Sequence, residues 1–211
     1  TLEGNGKLVT RDVAVQSFDA LKASGVYELK LSQGNKETVK IEADENLQDL
    51  FQVRNEGSKL VIDMKKMEHT NLKMKDKIRI YVTFKKLKSL ELSTVGNVIS
   101  EAPLTFDDLE VNNKSVGNVD LDFTANKLQL NNKSVGNVKL HGKAQNADFH
   151  NNGVGSLQAG DFLVQTMNIE NNGVGSAVVN AEKNLKVKDS FLGKVRNKGA
   201  ATVHKMNKVV I

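Results

Sequence analysis

Asp120 and Asp122 are separated by one residue, and Lys139 and His141 hold the same two places one repeat further on. Carboxylates set beside a Lys and a His could do acid–base work on an acidic polysaccharide. A retaining or inverting pair, or a calcium site, would favour two carboxylates facing each other across adjacent chain segments. In the rows laid out below, no two carboxylates fall that way, and this quartet is the nearest approach. Its plain reading is a solvated polar face with a cross-strand ion pair worth a few tenths of a kcal/mol. The four histidines, His69, His141, His150 and His204, are scattered. Only His141 and His150 are expected on adjoining coils, in different rows, so no metal site is expected. Gly153-Val-Gly155-Ser156 and Gly173-Val-Gly175-Ser176 lack the Lys-Ser/Thr and the helix that a phosphate loop needs, and read as turns.

A second group of chemistry-bearing residues lies between Met64 and Lys75. Lys65, Lys66, His69, Lys73 and Lys75 are interleaved there with Met64, Met67 and Met74. Such a cluster could meet an anionic glycan or a lipid headgroup, or could be a solvated loop. The whole chain carries 30 Lys plus Arg against 25 Asp plus Glu, a net charge of +5. Only Arg11, Arg54, Arg79 and Arg196 are arginines, and aromatic residues make up 5% of the chain, which speaks against nucleic acid as a partner. The absence of Cys removes disulfides, thiol nucleophiles and Cys-ligated metal sites, and no cofactor is expected. No apolar run approaches the roughly 18 residues a membrane helix requires, and Thr1-Leu-Glu-Gly-Asn-Gly6 lacks a basic-then-apolar signal pattern. A soluble or already processed form is expected.

The elements that must position these side chains are written in a repeat. Leu109-Glu-Val-Asn-Asn-Lys-Ser-Val-Gly-Asn-Val-Asp-Leu121 recurs almost unchanged at Leu128 to Leu140, and looser copies follow at Ala147 to Ala159 and Met167 to Val179. Degenerate copies open the array at Leu90 to Ser100 and close it at Leu185 to Asn197. The array is anchored on Gly96, Gly117, Gly136, Gly155, Gly175 and Gly193, which recur at a nearly constant interval. Apolar rows at eight and six before the glycine, and two and four after it, alternate with polar ones, the period of strands with one buried face. One such unit cannot bury its apolar face alone, so successive units must stack. In-register stacking gives parallel strands and a parallel β-helix with coils of about 19–20 residues.

The chain contains 23 Asn, and the row four before the glycine reads Asn113, Asn132, Asn151, Asn171 and Asp189. Asn tolerates tight corners and can hydrogen-bond from coil to coil as a ladder. A valine row lies one before the glycine; a charge at Val135 is expected to cost several kcal/mol if that valine is buried.

Residues 1–88 form a strand-rich part without the repeat, read as widening coils and the cap of the solenoid, and residues 89–211 carry the array, the two making one continuous structural domain. Tyr27 to Gln33 and Lys36 to Ala43 flank Gly34-Asn35, a hairpin signal, and Phe51 to Arg54 with Lys59 to Met64 gives a second around Asn55-Glu-Gly-Ser58. Asp44 to Leu50 could hold one short capped helical turn. Lys77 to Phe84 alternates as a clear strand.

The opening Gly4-Asn-Gly-Lys, the stretch from Phe18 to Leu47 and the Val-Gly-Asn-Val repeats together resemble the putative auto-transporter adhesin, head GIN domain family of Bacteroidetes-type bacteria. The resemblance implies an all-β, right-handed parallel β-helix on an exported protein of the periplasm, outer membrane or cell surface. It implies contact with the membrane only through a lipid anchor or signal since removed. No literal Gly-Ile-Asn tripeptide occurs, and no site residues carry over. The leading expectation is a non-enzymatic envelope protein presenting its β-helix to a glycan or to a host or envelope protein, with oligomers open. Its candidate binding residues are Lys65, Lys66, His69, Lys73, Lys75, Asp120, Asp122, Lys139 and His141. A polysaccharide-modifying enzyme built on the Asp120 quartet, or a structural spacer, are the alternatives.

Overall fold

The computed structural model describes residues 1–66, 71–190 and 194–206. The repeat forms long bent strands, Leu104–Asn113, Val119–Asn132, Val138–Asn151, Leu157–Asn171 and Ala177–Asp189. Each pairs in parallel with the next, Leu128 with Leu109 and Ala147, and Val119 with Val138. Together with the earlier strands they make a β-solenoid of about six turns. The expected apolar rows point inward. Leu109, Leu128, Ala147, Met167 and Leu185 line one inner stack, and Val111, Leu130, Phe149, Ile169 and Val187 the next, all buried.

Side-chain size is matched between coils. Phe123, Gly142 and Phe162 stack in one column. Because Gly142 has no side chain, the two rings approach to 5.0 Å between centroids across it, and Phe106 meets Phe123 edge-on at 5.5 Å. A Cβ on Gly142 would also lie 1.9 Å from the Phe123 carbonyl oxygen.

The glycine row has a physical cause. Gly117, Gly136 and Gly155 have φ of 133, 134 and 129°, where L side chains are strained. A Cβ on Gly136 would lie 2.1 Å from the Gly117 carbonyl oxygen, so the turns of successive coils touch backbone to backbone. Gly193 lies outside the described residues.

The asparagine row forms the expected ladder inside the same corner. Asn113 Nδ2 donates to Asn132 Oδ1 at 3.0 Å, Asn132 to Asn151 at 2.9 Å, and Asn151 to Asn171 at 2.9 Å. The ladder also serves the turn, since Asn113 Oδ1 accepts from the Ser115 hydroxyl at 2.6 Å and Asn151 Oδ1 from the Gly153 N–H at 3.3 Å. With Asn113 and Ser115 inside, Val116, one residue further on, must point out, and the rest of its row with it. Val95, Val116, Val135, Val154 and Val174 stack through single parallel bridges and are each at least about half exposed. Val135 is therefore not a core residue, being 53% exposed.

The solenoid begins earlier than the repeat suggests. Strand Ala20–Val26 lies in register with Ser89–Val95, Val26 opposite Val95, and Glu28–Gln33 pairs with Val98–Ser100. Tyr27 thus occupies the glycine's place in that coil, and Gly96 packs on its carbonyl. The next coil outward comes from later in the chain, Lys59–Met64 beside Ala20–Val26 and Arg79–Phe84 beside Glu28–Gln33.

The hairpin at Gly57-Ser58 forms, with Glu56 opposite Lys59 and Gly57 at φ 59°. The one expected at Gly34-Asn35 does not. Thr38–Asp44 and Glu28–Gln33 both pair with Arg79–Phe84, antiparallel and parallel, so that strand separates them. Inserting it buries Ile80, Val82 and Phe84, which a lone hairpin would leave uncovered. The helical turn is a 3-10 helix, Glu45–Leu50, and Asp44 at its start makes no capping hydrogen bond.

Candidate functional site

In-register coils turn each outward position into a straight row, so two polar flanks can be read directly from the pairing. On the first, Ser89, Glu110, Gln129, Asp148, Asn168 and Lys186 form one row. Glu91, Asn112, Asn131, His150, Glu170 and Lys188 form the row beside it. Neighbours along and across these rows hold one another. Asn131 Nδ2 donates to Asn112 Oδ1 at 2.8 Å, and Asn112 Nδ2 to Glu110 Oε1 at 3.2 Å. His150 lies 3.3 Å from Asp148 and 3.4 Å from Glu170, and Lys188 lies 3.7 Å from Glu170.

Shallow depressions follow this flank. One of about 400 Å³ lies beside the two rows rather than in them, among Asp19, Gln33, Lys85, Leu87, Thr105, Phe106 and Asp108. It adjoins one of about 340 Å³ lined by Lys88, Asp108, Glu110, Lys127 and Gln129. A third, of about 280 Å³, lies further along the same rows among Asp148, His150, Asn168, Glu170, Lys186 and Lys188. Each mixes charged and polar side chains in an open setting suited to holding a polar ligand by many weak contacts. Phe18, Phe51, Phe84, Phe123, Phe149, Phe162 and Tyr27 are all buried and line none of these depressions, and Phe106, also buried, reaches only the edge of the first.

The second flank carries the sequence-derived quartet. Asp120 pairs with Lys139 and Asp122 with His141, as their spacing demands. The structure adds Asp161, because a bulge after Gln158 moves Gly160 out of the row and sets Asp161 opposite His141. The interval from Gly155 to Gly175, one longer than in the two coils before it, carries that signal. His141 lies 3.9 Å from Asp120 and 4.0 Å from Asp161, beyond hydrogen-bonding distance, and Lys198 reaches Asp161 at 3.4 Å. Asp120 and Asp161 are exposed, and neither lines any of the depressions described above. His141 and His150 sit on one strand, Val138–Asn151, rather than on adjoining coils, because the extended coil carries both sides of the solenoid.

Of the lysine segment, Lys65, Lys66, Lys73 and Lys75 are exposed, Lys65 just past the end of Lys59–Met64 and Lys73 in the short strand Leu72–Lys73. His69 lies outside the described residues. Leu72–Lys73 pairs in parallel with Leu2–Glu3, which places the segment over the cap end.

The strongest charge cluster is one the sequence reading did not single out. Glu28, 6% exposed, receives Lys77 at 2.6 Å, Lys30 at 3.7 Å and Arg79 at 4.0 Å. Burial alone would raise its pKa, but the hydrogen bond from Lys77 and the three positive charges outweigh burial and hold it below the usual glutamate value. Among the described residues, no group of three or more His, Asp or Glu side chains is placed to hold a metal ion.

A regular β-solenoid with polar flanks and open depressions is the class that fold and surface define. The chain belongs to the family described as putative auto-transporter adhesin, head GIN domain, which matches residues 17–201. Among solved structures it is similar to a putative adhesin from Bacteroides fragilis NCTC 9343, with 29% identity, a TM-score of 0.83, and coverage of 98% of this chain and 100% of that one. A putative adhesin from Parabacteroides distasonis ATCC 8503 shares the fold at 22% identity and TM-score 0.73, over 97% and 95% of the two chains. A putative lipid binding protein from the same organism does so at 22% and 0.72, over 97% and 94%. No curated protein matches.

Proposed function

We propose that this protein is a non-enzymatic, exported adhesin of the cell envelope that binds an extended glycan or protein along the flank carrying Glu110, Gln129, Asp148 and His150. The observation that carries the reading is the pair of open depressions, each lined by charged and polar side chains of the same rows, along one register-locked flank. The family and the adhesin-described neighbour from B. fragilis support an adhesin-like envelope protein. A rigid solenoid suits such a role, since its rows are ordered before a ligand arrives and little conformational entropy is lost on contact. The burial of most aromatic rings among the described residues favours a protein ligand over a sugar held by stacking.

The test is a glycan and host-matrix protein array with the full chain, at two salt concentrations, beside the double variant Gln129→Arg with Asn168→Arg and the opposite-flank variant Lys139→Glu. A specific hit that the double variant loses and Lys139→Glu keeps is expected. A blank array at both salts overturns the reading, as does a hit lost only in Lys139→Glu. Turnover of an acidic polysaccharide that Asp122→Ala abolishes would replace it with the enzyme.

A further inference from the structure

Asp44 ends strand Thr38–Asp44 and is fully buried, yet neither carboxylate oxygen has a hydrogen-bond donor. An aspartate at the start of a helix ordinarily turns back to cap it; this one does not. Its Oδ2 instead fills the space beside Gly4, where a Cβ would lie 1.7 Å from it. The group that its carboxylate does meet is another acid, Asp76, half-buried in the bend after Leu72–Lys73, whose pKa is raised chiefly by a hydrogen bond to Asp44 when it carries its proton. Neither acid forms an ion pair with a Lys or Arg among the described residues, and Lys75 acts on Asp76 through its charge alone. Lys7 is engaged by Glu45 at 2.8 Å and Lys77 by Glu28 at 2.6 Å.

A buried carboxylate facing a second carboxylate is a costly arrangement unless a proton or a cation lies between them. We propose that Asp44 and Asp76 form a binding site for a divalent cation, and that the cation is calcium. Both side chains offer only oxygen, the donor of hard cations. Calcium tolerates irregular shells of six to eight oxygens, so water and main-chain carbonyls can complete what two carboxylates begin. The half-exposure of Asp76 leaves a way in from solvent.

The site joins three parts of the chain that are distant in sequence. The first is the Gly4 turn, held by Gly4 N–H to Lys73 O at 2.8 Å and by Asn5 N–H to Asn46 Oδ1 at 2.9 Å. The second is the end of the strand at Asp44, and the third is the bend at Asp76. The two-stranded sheet of Leu2–Glu3 with Leu72–Lys73 stands apart from the main sheet, so the cation acts as its clamp. By fixing that sheet it also fixes the exposed Lys73 and Lys75. The site stands independently of the adhesin reading.

The experiment uses the full chain stripped with EGTA and dialysed, followed by thermal unfolding and calorimetric titration with calcium chloride, and with sodium chloride at matched ionic strength. Extracellular calcium modules bind at roughly 0.1–1 mM, so titration to about 10 mM spans the range. Expected is a saturable rise in melting temperature with calcium alone, as preferential binding to the folded state requires. In Asp76→Asn, which keeps the size of a half-exposed side chain, the affinity should fall at least about tenfold, one carboxylate being lost. No calcium-dependent shift or heat in the unmutated protein overturns the site, as does a shift retained in both Asp76→Asn and Asp44→Asn. Stabilisation of the stripped protein by mild acid together with indifference to calcium would show a shared proton instead, and would also overturn it.

Discussion

Replacing Asn151 by Ala removes the middle residue of the buried ladder and with it two rungs. Asn151 is 4% exposed, accepts from Asn132 Nδ2 at 2.9 Å and from Gly153 N–H at 3.3 Å, and donates to Asn171 at 2.9 Å. The substitution therefore deletes both rungs and leaves the Asn132 amide as a buried donor without an acceptor. A side-chain hydrogen bond contributes about 1 kcal/mol net, and an orphaned buried polar group costs about 1–3 kcal/mol. The sum is about 3–5 kcal/mol, a loss of roughly 6–20 °C in melting temperature for a chain of this size. Asn152, the next residue, is exposed, and its main-chain N–H to Asn132 O bond at 2.7 Å survives replacement by Ala. Urea unfolding followed by far-ultraviolet circular dichroism, with both variants run beside the unmutated chain, gives the comparison. Asn152→Ala should stay within about 0.5 kcal/mol, as surface substitutions do. Equal losses in the two variants would show that the ladder contributes nothing beyond the backbone pairing, and the reasoning would fail.

Val135→Asp should cost about 1 kcal/mol or less in the same assay, because the valine is 53% exposed and loses only part of its apolar burial; a loss of several kcal/mol would place the row in the core. Glu28→Gln should destabilise the protein near neutral pH, since the carboxylate holds a lowered pKa among Lys77, Lys30 and Arg79. A lowered folded-state pKa contributes stability that is present above the unfolded value of 4.5 and is lost as pH falls through the folded value. The gap between Glu28→Gln and the unmutated chain should thus narrow below about pH 4.5; a gap independent of pH would show that charge is not its cause.

The second half of the chain was open to reading because a solenoid makes tertiary contacts periodic in sequence. The partner of Leu128 lies one coil away, at Leu109 and Ala147, so a row of like residues is itself a record of contact. The glycine row was legible for the same reason. Only a residue without Cβ lets the Gly136 turn lie on the Gly117 carbonyl, and each coil repeats the demand. The Asp120, Asp122, Lys139 and His141 cluster followed from the same arithmetic, whereas Asp161 entered it through a bulge that a fixed register does not foresee.

Where contacts are not periodic, local signals were insufficient. Gly34-Asn35 marks a turn correctly, but the strand that then lies between its arms comes from Arg79–Phe84, and only burial of that strand's apolar face decides the order. The valine row is as uniformly apolar as a buried row, though it lies one residue out of step with the rows that are buried. It faces outward because the Asn and Ser side chains that satisfy the turn's backbone amides take the interior. Asp44 and Asp76 are far apart in sequence and belong to no repeat, so their meeting beneath Gly4 exists only once the cap has folded over the end of the solenoid. Sequence alone determined the coil, its period and its corners, since these arise from interactions each unit repeats with its neighbour. The tertiary structure decided strand order in the cap, which rows face solvent and which charges meet, since these depend on contacts made once.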